Sequence, residues 1–464
     1  MTEQMRDDLI RLSDEVFDHP EFGFCEKVSS ATQAAFLRQE GFEVEENVAD
    51  TITGYKAVYG SGHPVIAFLG EFDALYGLGQ ETDVCEKRPD GREMGHGCGH
   101  HLLGTGCIGA GLLVRDHLKE TGCPGTVIVY GCPGEESGSG KAYMARDGAF
   151  DGVDIAFSWH PSNYHMIATG SSQSCIQCFF RFHGIASHAA QAPEQGRSAL
   201  DAVELTDIGV NYLREHMRST DRVHYAITDT GGHSPNVVQA EAEVKYLIRS
   251  ATNPECRALY ERVCRIAQGA ALMTDTTLEI CFDEGLSNTI PNFALEEVLA
   301  ESFRRIGPPE YTEDDRAYAS RFRATFGEIS RGDLPYIVAD KEALAENIAA
   351  SPVCDIYLET QHSDICEMGS TDVGDVSWVV PTTTLNVACY SYGANAHSWQ
   401  WVAQGKSGLA HKGMLRAAEI LADAAVTLLK EPERIDQAKK EFEHRLGGTH
   451  YICPIPPDVH PHVL

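Results

Sequence analysis

Two adjacent carboxylates, Glu135 and Glu136, end the stretch "VIVYGCPGEE". The stretch begins with large apolar side chains, a run typical of a strand that is buried on both faces of a sheet. Because neighbouring negative charges repel each other, we expect a positive group beside them. The two side chains cannot point the same way. One carboxylate can therefore bind a metal ion while the other accepts a proton from a water that the metal activates.

Thiol and imidazole groups stand at comparable positions elsewhere in the chain. Cys98 and His100 lie in the stretch "MGHGCGHHLLGTG", where glycines allow a turn to direct both side chains inward. His160 follows "VDIAFSW", and His397 follows "TLNVACYSYGANA". Thiolate, imidazole and carboxylate are the ligands of zinc and related transition metals. We therefore predict a metal centre, in which Asp73 of "GEFDAL" accepts a hydrogen bond from a ligating imidazole.

The elements that must position these groups alternate between strand and helix over the first 170 residues. Apolar strands at "PVIAFLG", "TVIVYG" and "VDIAFSW" alternate with helical stretches such as "LLGTGCIGAGLLVRDHLKE". This βαβ rhythm predicts an α/β fold with a mostly parallel central sheet and helices on both faces. Since ligands collect beyond the carboxyl ends of the strands in such sheets, we expect the site at that edge.

The pattern changes near residue 173 and changes back near residue 292. Between these points the order β, α, β, β, α, β is the split βαβ pattern, in which helices cover one face of a sheet. The chain has 464 residues, and a single core stops growing at about 250–300 residues. We therefore predict a catalytic domain made of residues 1–172 and 292–464, with an inserted α+β domain at residues 173–291.

Composition and charge exclude several classes of function. The chain has 37 Lys and Arg against 68 Asp and Glu, and its net charge of −31 argues against binding to nucleic acid or to an anionic membrane. We expect no transmembrane segment and no secretory signal, because neither pattern is visible. The 15 cysteines are scattered without a recurring pattern, which indicates reduced thiols and predicts a cytoplasmic protein.

The motifs allow three other interpretations. Cys98 and His100 could form the nucleophile–base pair of a cysteine hydrolase, but the carboxylates and the other histidines would then have no role. "GEESGSGK" differs from a phosphate-binding loop, since its first glycine lies one position too early and Ala142 replaces the required Ser or Thr. A non-catalytic metal-binding protein is the third alternative, which a free carboxylate beside a ligand disfavours.

Several motifs together resemble one family. "GCGHH", "PGEESGSGK", "SWHP" and "HSWQ", preceded by "GEFDAL", are similar to the aminoacylase/carboxypeptidase family of dinuclear metallohydrolases. Within it, "GSTDVGDVSWVVPT" is similar to the amidohydrolases of the type of the aminobenzoyl-glutamate hydrolase B-type subunit. The resemblance extends over nearly the whole chain. It implies hydrolysis of an amide bond with two divalent metal ions, manganese or zinc, as cofactors.

The resemblance also implies roles for individual residues of the catalytic domain. Glu135 would be the general base, which takes a proton from the attacking water and passes it to the leaving amine. The implied metal ligands are Cys98, His100, Glu136, His160 and His397.

By the same resemblance, the inserted domain would be a lid or dimerisation domain. His224 in "RVHYAIT" would reach the scissile carbonyl across a homodimer and stabilise the developing oxyanion. Asn236 in "SPNVV" and Arg249 in "YLIRS" would contact the substrate, and the guanidinium of Arg249 suits a substrate carboxylate. Two departures from the family pattern, His101 and His233, would change the pocket and hence the substrate.

The predicted partner is a small-molecule amide, either an N-acyl amino acid or a compound like aminobenzoyl-glutamate. Two alternatives stay open at this point. The first is a metal-dependent hydrolase of another bond, in a β-alanyl dipeptide or an aromatic amine. The second is a subunit that retains the fold but needs a partner subunit for activity.

Overall fold

The strands of the protein form one large sheet, a second separate sheet and two short pairs. The computed structural model describes residues 1–329 and 334–462. Numbered in chain order, the strands are β1 (Glu43–Glu46), β2 (Tyr55–Ser61), β3 (Val65–Glu71), β4 (Leu75–Tyr76), β5 (Met94–Gly95), β6 (Gly125–Cys132), β7 (Ile155–Ser162), β8 (Met166–Ile167), β9 (Ser171–Ser172), β10 (Ser174–His183), β11 (Arg222–Asp229), β12 (Glu241–Ser250), β13 (Thr277–Leu286), β14 (Cys366–Glu367) and β15 (Thr382–Ala388).

The large sheet has the strand order β1-β2-β6-β3-β7-β15-β8. The four middle strands, β6, β3, β7 and β15, run parallel to one another. The outer strands β1, β2 and β8 pair antiparallel. The predicted α/β fold with a mostly parallel central sheet is therefore confirmed. The carboxyl ends of the four parallel strands meet at one edge, and the chain continues from that edge into the predicted site residues.

Helices cover both faces of this sheet. Numbered in chain order, the described α-helices of the protein are α1 (Glu3–Asp18), α2 (Lys27–Gln39), α3 (His100–Thr121), α4 (Gly140–Arg146), α5 (Ala199–Leu213), α6 (Asn253–Thr274), α7 (Phe293–Ile306), α8 (Glu313–Arg323), α9 (Lys341–Ala350), α10 (Val373–Ser377), α11 (Trp399–Gln404), α12 (Gly408–Lys430) and α13 (Pro432–Leu446). Of these, α5 and α6 pack on the second sheet. Successive side chains of a strand point to opposite faces. Phe68 of β3 therefore packs in one apolar cluster with α1, α3, α7 and α12, while Leu69 packs in another with α4 and α10. Within the described residues, no helix is both long and apolar enough to cross a membrane.

Glycines bring α3 unusually close to the central sheet. A Cβ atom at Gly106 would lie 2.7 Å from the ring of Trp159 on β7. A Cβ atom at Gly104 would lie 2.5 Å from the backbone oxygen of Glu71 on β3. Because these contacts leave no room for a side chain, the small residues of α3 set its distance from the sheet. The first residue of α3, His100, therefore begins close to the ends of the strands.

The second sheet has the order β11-β12-β10-β13, and all its pairs are antiparallel. It has its own apolar core, to which α5 and α6 contribute Val203 and Val263 and the strands contribute Phe180 and Tyr246. The elements follow one another as β10, α5, β11, β12, α6 and β13, which is the split βαβ order that the sequence predicts. The domain limits at 172/173 and 291/292 stay a prediction.

A buried carboxylate joins the second sheet to two later parts of the chain. Asp375 of α10 accepts hydrogen bonds from the backbone N–H of Ser287, just after β13, at 3.0 Å, and from the Ser287 hydroxyl at 2.7 Å. The Tyr451 hydroxyl donates to the same carboxylate at 2.8 Å. Burial raises the pKa of Asp375 to about 7. The end of β13 is thus tied to α10 and to the segment after α13 through one side chain.

Candidate metal centre and active site

The structure brings the five predicted metal ligands together at the carboxyl edge of the central sheet. The Cys98 Sγ atom lies 3.3 Å from His160 Nε2. The Glu136 Oε1 atom lies 3.3 Å from His397 Nε2 and 3.9 Å from His100 Nε2. In each of three groups the potential ligand atoms lie within 4.8 Å of one another. These groups are Cys98, His100 and His160; Cys98, Glu136 and His397; and Glu71, His100 and Glu135.

The backbone around these side chains explains why the sequence has its particular turns there. Gly99 has a φ of +83°, and a Cβ atom at this position would lie 2.5 Å from the Tyr390 hydroxyl. Only glycine combines the left-handed conformation with that close approach, so Cys98 and His100 can both face the centre. His397 also has a positive φ, 59°, and its backbone N–H donates to the carbonyl of Gly97 at 2.8 Å. This bond fixes His397 against the turn that carries Cys98.

Hydrogen bonds to the Nδ1 atoms fix the orientation of two imidazole rings. His100 Nδ1 lies 2.7 Å from Asp73 Oδ1, and the other oxygen of Asp73 accepts a hydrogen bond from the Glu136 backbone N–H at 2.9 Å. His160 Nδ1 lies 2.7 Å from the carbonyl of Pro161. With Nδ1 donating, Nε2 of each ring is left to bind a metal. Burial and the neighbouring His100 lower the pKa of His160, which favours the neutral ring that a metal ligand needs.

A buried ammonium beside the cluster was not assigned a role from the sequence. Lys141 of α4 is fully buried, and its Nζ atom lies 2.7 Å from Glu71 Oε1 and donates a hydrogen bond to Asp372. The backbone N–H of Lys141 also donates to Asp372 at 2.8 Å. The second oxygen of Glu71 lies 3.2 Å from His100 Nε2. Burial opposes the charge of Lys141, but Asp372 and Glu71 raise the pKa of its ammonium well above the usual value.

Sequence signals for the cluster of Lys141, Glu71 and Asp372 were only indirect. Glu71 stands at the end of an apolar run, the kind of run that Glu136 and His160 also follow. Lys141 belongs to "PGEESGSGK" and Asp372 to "GSTDVGDVSWVVPT", two motifs of the family resemblance. Neither motif indicates that the two side chains meet.

A second carboxylate that the sequence analysis missed holds the turn before Glu135. Glu26 is buried, and it accepts hydrogen bonds from the backbone N–H of Gly134 at 2.8 Å and from the Thr53 hydroxyl at 2.6 Å. Loss of solvation, followed by the charges of Glu71 and Glu136, raises the pKa of Glu135 well above its usual value. Glu26 therefore fixes the backbone next to Glu135.

Unpaired atoms and crowded carboxylates show that the cluster fits divalent cations. Among the described residues, His100 Nε2 and Glu136 Oε1 are buried, and their close contacts with Glu71 and His397 lack hydrogen-bond geometry. Buried polar atoms are rarely left without a partner, so these two atoms are suited to bind a metal ion. Burial raises the pKa of the Cys98 thiol well above its usual value. This argues against a cysteine nucleophile, which needs a lowered pKa, whereas a metal ion deprotonates a coordinating thiol.

Among the described residues, the contacts of the predicted site residues of the inserted domain are with residues outside this cluster. His224 is exposed on the edge strand β11, where it pairs with Leu247 of β12. Asn236 is exposed, and its carbonyl accepts a hydrogen bond from Ala189 at 3.0 Å. Arg249 donates to the carbonyl of Met368 at 3.2 Å. Their roles toward the substrate, including action across a dimer, stay predictions.

The two histidines that depart from the family pattern differ in their surroundings. His101 is fully buried on α3, its Nε2 atom lies 2.9 Å from the carbonyl of Gly405, and its ring packs edge-on against Phe17 at 4.9 Å. His101 therefore contributes to packing behind the centre. His233 is exposed in the loop between β11 and β12.

Thiol, imidazole and carboxylate groups at the ends of parallel strands, beside one further carboxylate, define a metal-dependent hydrolase. The chain belongs to the peptidase family M20/M25/M40, whose family model matches residues 67–400. The predictions of this family and of an amide-bond hydrolase are thereby confirmed.

Individual relatives agree with the family. The chain is 42% identical over 468 residues to the B-type subunit of p-aminobenzoyl-glutamate hydrolase from Escherichia coli K12, and the match covers 98% of this chain and 95% of the relative. It is 28% identical over 424 residues to Xaa-Arg dipeptidase of Mus musculus, with coverage of 90% and 81%. A dinuclear metal-binding M20 peptidase from Bacillus subtilis has the same fold, with a TM-score of 0.57, 18% identity and coverage of 92% and 99%.

Proposed function

We propose that the chain hydrolyses the amide bond of an N-acyl amino acid and that p-aminobenzoyl-glutamate represents the substrate class. The observation that carries this proposal is the convergence of five potential metal ligands with Glu135 beside them. The 42% identity to the B-type subunit of p-aminobenzoyl-glutamate hydrolase, over nearly the whole of both chains, supports the choice of substrate.

The proposed ligands are Cys98, His100, Glu136, His160 and His397. Two divalent ions bound there would polarise the scissile carbonyl and make the attacking water more acidic. Thiolate and imidazole groups favour zinc, while the carboxylates nearby also suit manganese. Asp73 would hold the ring of His100 in the orientation that presents Nε2 to the centre.

Glu135 would accept the proton of the attacking water and pass it to the nitrogen of the leaving amine. Burial and the charges of Glu71 and Glu136 raise the pKa of Glu135, and two divalent cations bound beside it would favour the ionised form that accepts the proton. Lys141 does not contact Glu135 in the described hydrogen bonds and ion pairs, since its ammonium pairs with Glu71 and Asp372. Among the described residues Glu135 forms no ion pair, and the ring of His100 lies in the same group of potential ligand atoms.

The second sheet would supply the remaining contacts. Its outer strand β11 leaves backbone groups unpaired at an exposed edge, which suits pairing with a second copy of the chain in a homodimer. His224 lies on that edge and would then reach the carbonyl of a substrate bound in the partner. Asn236 and Arg249 would bind the polar groups of the substrate. All 15 cysteines are free thiols, which supports a reducing compartment such as the cytoplasm.

Replacement of the general base tests the proposal. Glu135→Gln should lower kcat for p-aminobenzoyl-glutamate by about 10²–10⁴-fold, the usual contribution of a positioned base. Elemental analysis should find the same metal content as in the wild-type protein. Glu120→Gln, at the exposed end of α3, serves as the matched control. Retained turnover in Glu135→Gln would refute the base assignment, and loss of metal would make Glu135 a ligand.

Two observations favour specific alternatives. Similarity to Xaa-Arg dipeptidase favours a dipeptidase, and a panel of acyl amino acids, dipeptides, β-alanyl dipeptides and aminoarenes would identify the preferred bond. The relative that covers nearly the whole chain is named as a subunit, which favours a partner-dependent enzyme. Hydrolysis by the purified chain alone would exclude that second alternative.

A further inference from the structure

The ring of Phe24 supports the turn that carries Glu135 and Glu136. A Cβ atom at Gly134 would lie 3.3 Å from this ring, and a Cβ atom at Gly138 would overlap it. The ring therefore lies against the backbone on both sides of the two carboxylates. Because interiors are closely packed, a shift of Phe24 would move the turn, and with it the proposed base and a proposed metal ligand.

Phe24 itself has a backbone conformation that bulky residues rarely adopt. Its φ is +60°, in the left-handed region. A residue held in this region keeps its conformation only where the surrounding structure fixes it. The side chain of Phe24 is 2% exposed and forms an apolar cluster with Ala142 and Tyr143 of α4 and with Ile455. The conformation of Phe24 therefore depends on these three neighbours.

Ile455 belongs to the strap, the segment 451–459 that follows α13 and has neither helix nor strand. Arg146, at the end of α4, donates hydrogen bonds to the strap carbonyls of Pro456 at 3.2 Å and Val459 at 2.8 Å. The side chain of Ile455 is 2% exposed, because it projects from the strap into the apolar cluster. The strap is thus held along α4.

The strap also contacts the elements of the second sheet. Asn253 of α6 is 7% exposed, and its side-chain amide donates to the Ile452 carbonyl at 2.8 Å. A Cβ atom at Gly285 of β13 would lie 3.0 Å from Pro454. The strap therefore lies between α4 on one side and α6 and β13 on the other. It connects the second sheet to the turn that carries Glu135.

We propose that the strap is a positioning element of the active site, in which Ile455 holds Phe24 and Phe24 holds the turn of Glu135 and Glu136. Ile455 is then a positioning residue, since it acts on the reaction through other side chains. The proposal rests on the proposed amide hydrolysis and adds a distant segment on which the orientation of the base depends. Ordinary core packing is the alternative, and it predicts that a cavity at Ile455 has no selective effect on the turn or on kcat.

Kinetics of matched cavity variants distinguish these two roles. Ile455→Ala should lower kcat for p-aminobenzoyl-glutamate by about 10–100-fold with little change in KM, because a small displacement of the base costs mainly rate. Ile455→Val keeps most of the buried volume and should restore most of kcat. Ile435→Ala is the matched control, since Ile435 of α13 is 5% exposed and belongs to a different apolar cluster. This variant should keep kcat close to the wild-type value.

Amide hydrogen exchange in the metal-free protein gives a readout that does not depend on activity. The N–H of Gly134 donates to Glu26 at 2.8 Å, and the N–H of Gly138 donates to the Gly134 carbonyl at 2.9 Å. Both amides should exchange about tenfold faster in Ile455→Ala than in the wild-type protein, because the turn opens locally more often. In Ile435→Ala both amides should exchange as in the wild-type protein.

The outcomes separate this proposal from the proposed function. If the turn exchanges faster only in Ile455→Ala but the wild-type protein cleaves no amide, the support of the turn stands and the proposed function fails. If amides are cleaved but Ile455→Ala matches Ile435→Ala in kcat and in exchange, the proposed function stands and the positioning role fails. A rise in KM with unchanged kcat would also overturn the positioning role. If Ile455→Ala does not fold, the same comparison between Ile455→Val and Ile435→Val, with a smaller expected change, decides between the two roles.

Discussion

Replacement of Lys141 by Met would leave two buried carboxylates without their cation. Lys141 is 0% exposed, and its ammonium pairs with Glu71 at 2.7 Å and with Asp372. Methionine keeps most of the aliphatic volume, so packing changes little. Removing one partner of a buried ion pair costs about 3–5 kcal/mol, because the remaining charge stays buried and unpaired. Because Lys141→Met leaves two such carboxylates, Glu71 and Asp372, we expect the free energy of unfolding to fall by about 4–5 kcal/mol, the upper end of this range.

The assay is urea unfolding of the metal-free protein, followed by circular dichroism. Lys440→Met, on the exposed face of α13, is the matched control and should change the free energy of unfolding by less than about 0.5 kcal/mol. Lys141→Met combined with Asp372→Asn should recover part of the loss, since one unpaired carboxylate is removed. A loss below about 1 kcal/mol in Lys141→Met, within the range of an exposed ion pair, would refute the reasoning.

Three further changes test the supporting contacts. Glu26→Ala should lower kcat by up to about 100-fold with little change in KM, because the backbone N–H of Gly134 loses its acceptor and Glu135 is displaced. Glu26→Gln keeps an acceptor and should restore most of the activity. An equal loss of kcat in both variants would contradict a positioning role for Glu26. Asp73→Ala should weaken metal affinity by about 10–100-fold in competition with a chelator, and wild-type affinity would contradict its orienting role. Asp375 has its pKa raised to about 7, so the folded protein binds its proton more tightly than the unfolded chain and its contribution to stability falls as the pH rises from about 4 to 7. The free energy of unfolding of Asp375→Asn, measured with urea, should therefore rise by up to about 2 kcal/mol relative to that of the wild-type protein from pH 5 to pH 7. A difference between the two proteins that does not depend on pH would contradict this.

The sequence was informative wherever a local pattern determined the geometry. The apolar runs of β6 and β7 indicated the carboxyl edge of the sheet. Glu136, after β6, and His160, near the end of β7, both belong to ligand groups that contain Cys98, because the carboxyl ends of parallel strands share one edge. The split βαβ order of the second sheet was likewise visible, since its helices and strands have their own periods.

Contacts between distant segments could not be predicted in this way. Lys141 looks like a surface residue by type, because an unpaired lysine is almost never fully buried. It is buried only because Glu71 and Asp372 approach it from two other segments, and Asp372 lies 231 positions away in the chain. The bond from Glu26 to Gly134 spans 108 positions and has no periodic signal. Such pairings depend on how distant segments pack together, and the local patterns of a single sequence do not contain that information.

The position of β15 has a consequence for how the chain acquires its shape on the ribosome. β15 lies between β7 and β8, two strands that precede the entire second sheet in the chain. Because synthesis proceeds from the N-terminus, β7 has one open side and β8 lacks its paired strand until β15 emerges. We expect the nascent polypeptide to need shielding of that side, and the metal centre that includes His397 to be among the last features to form.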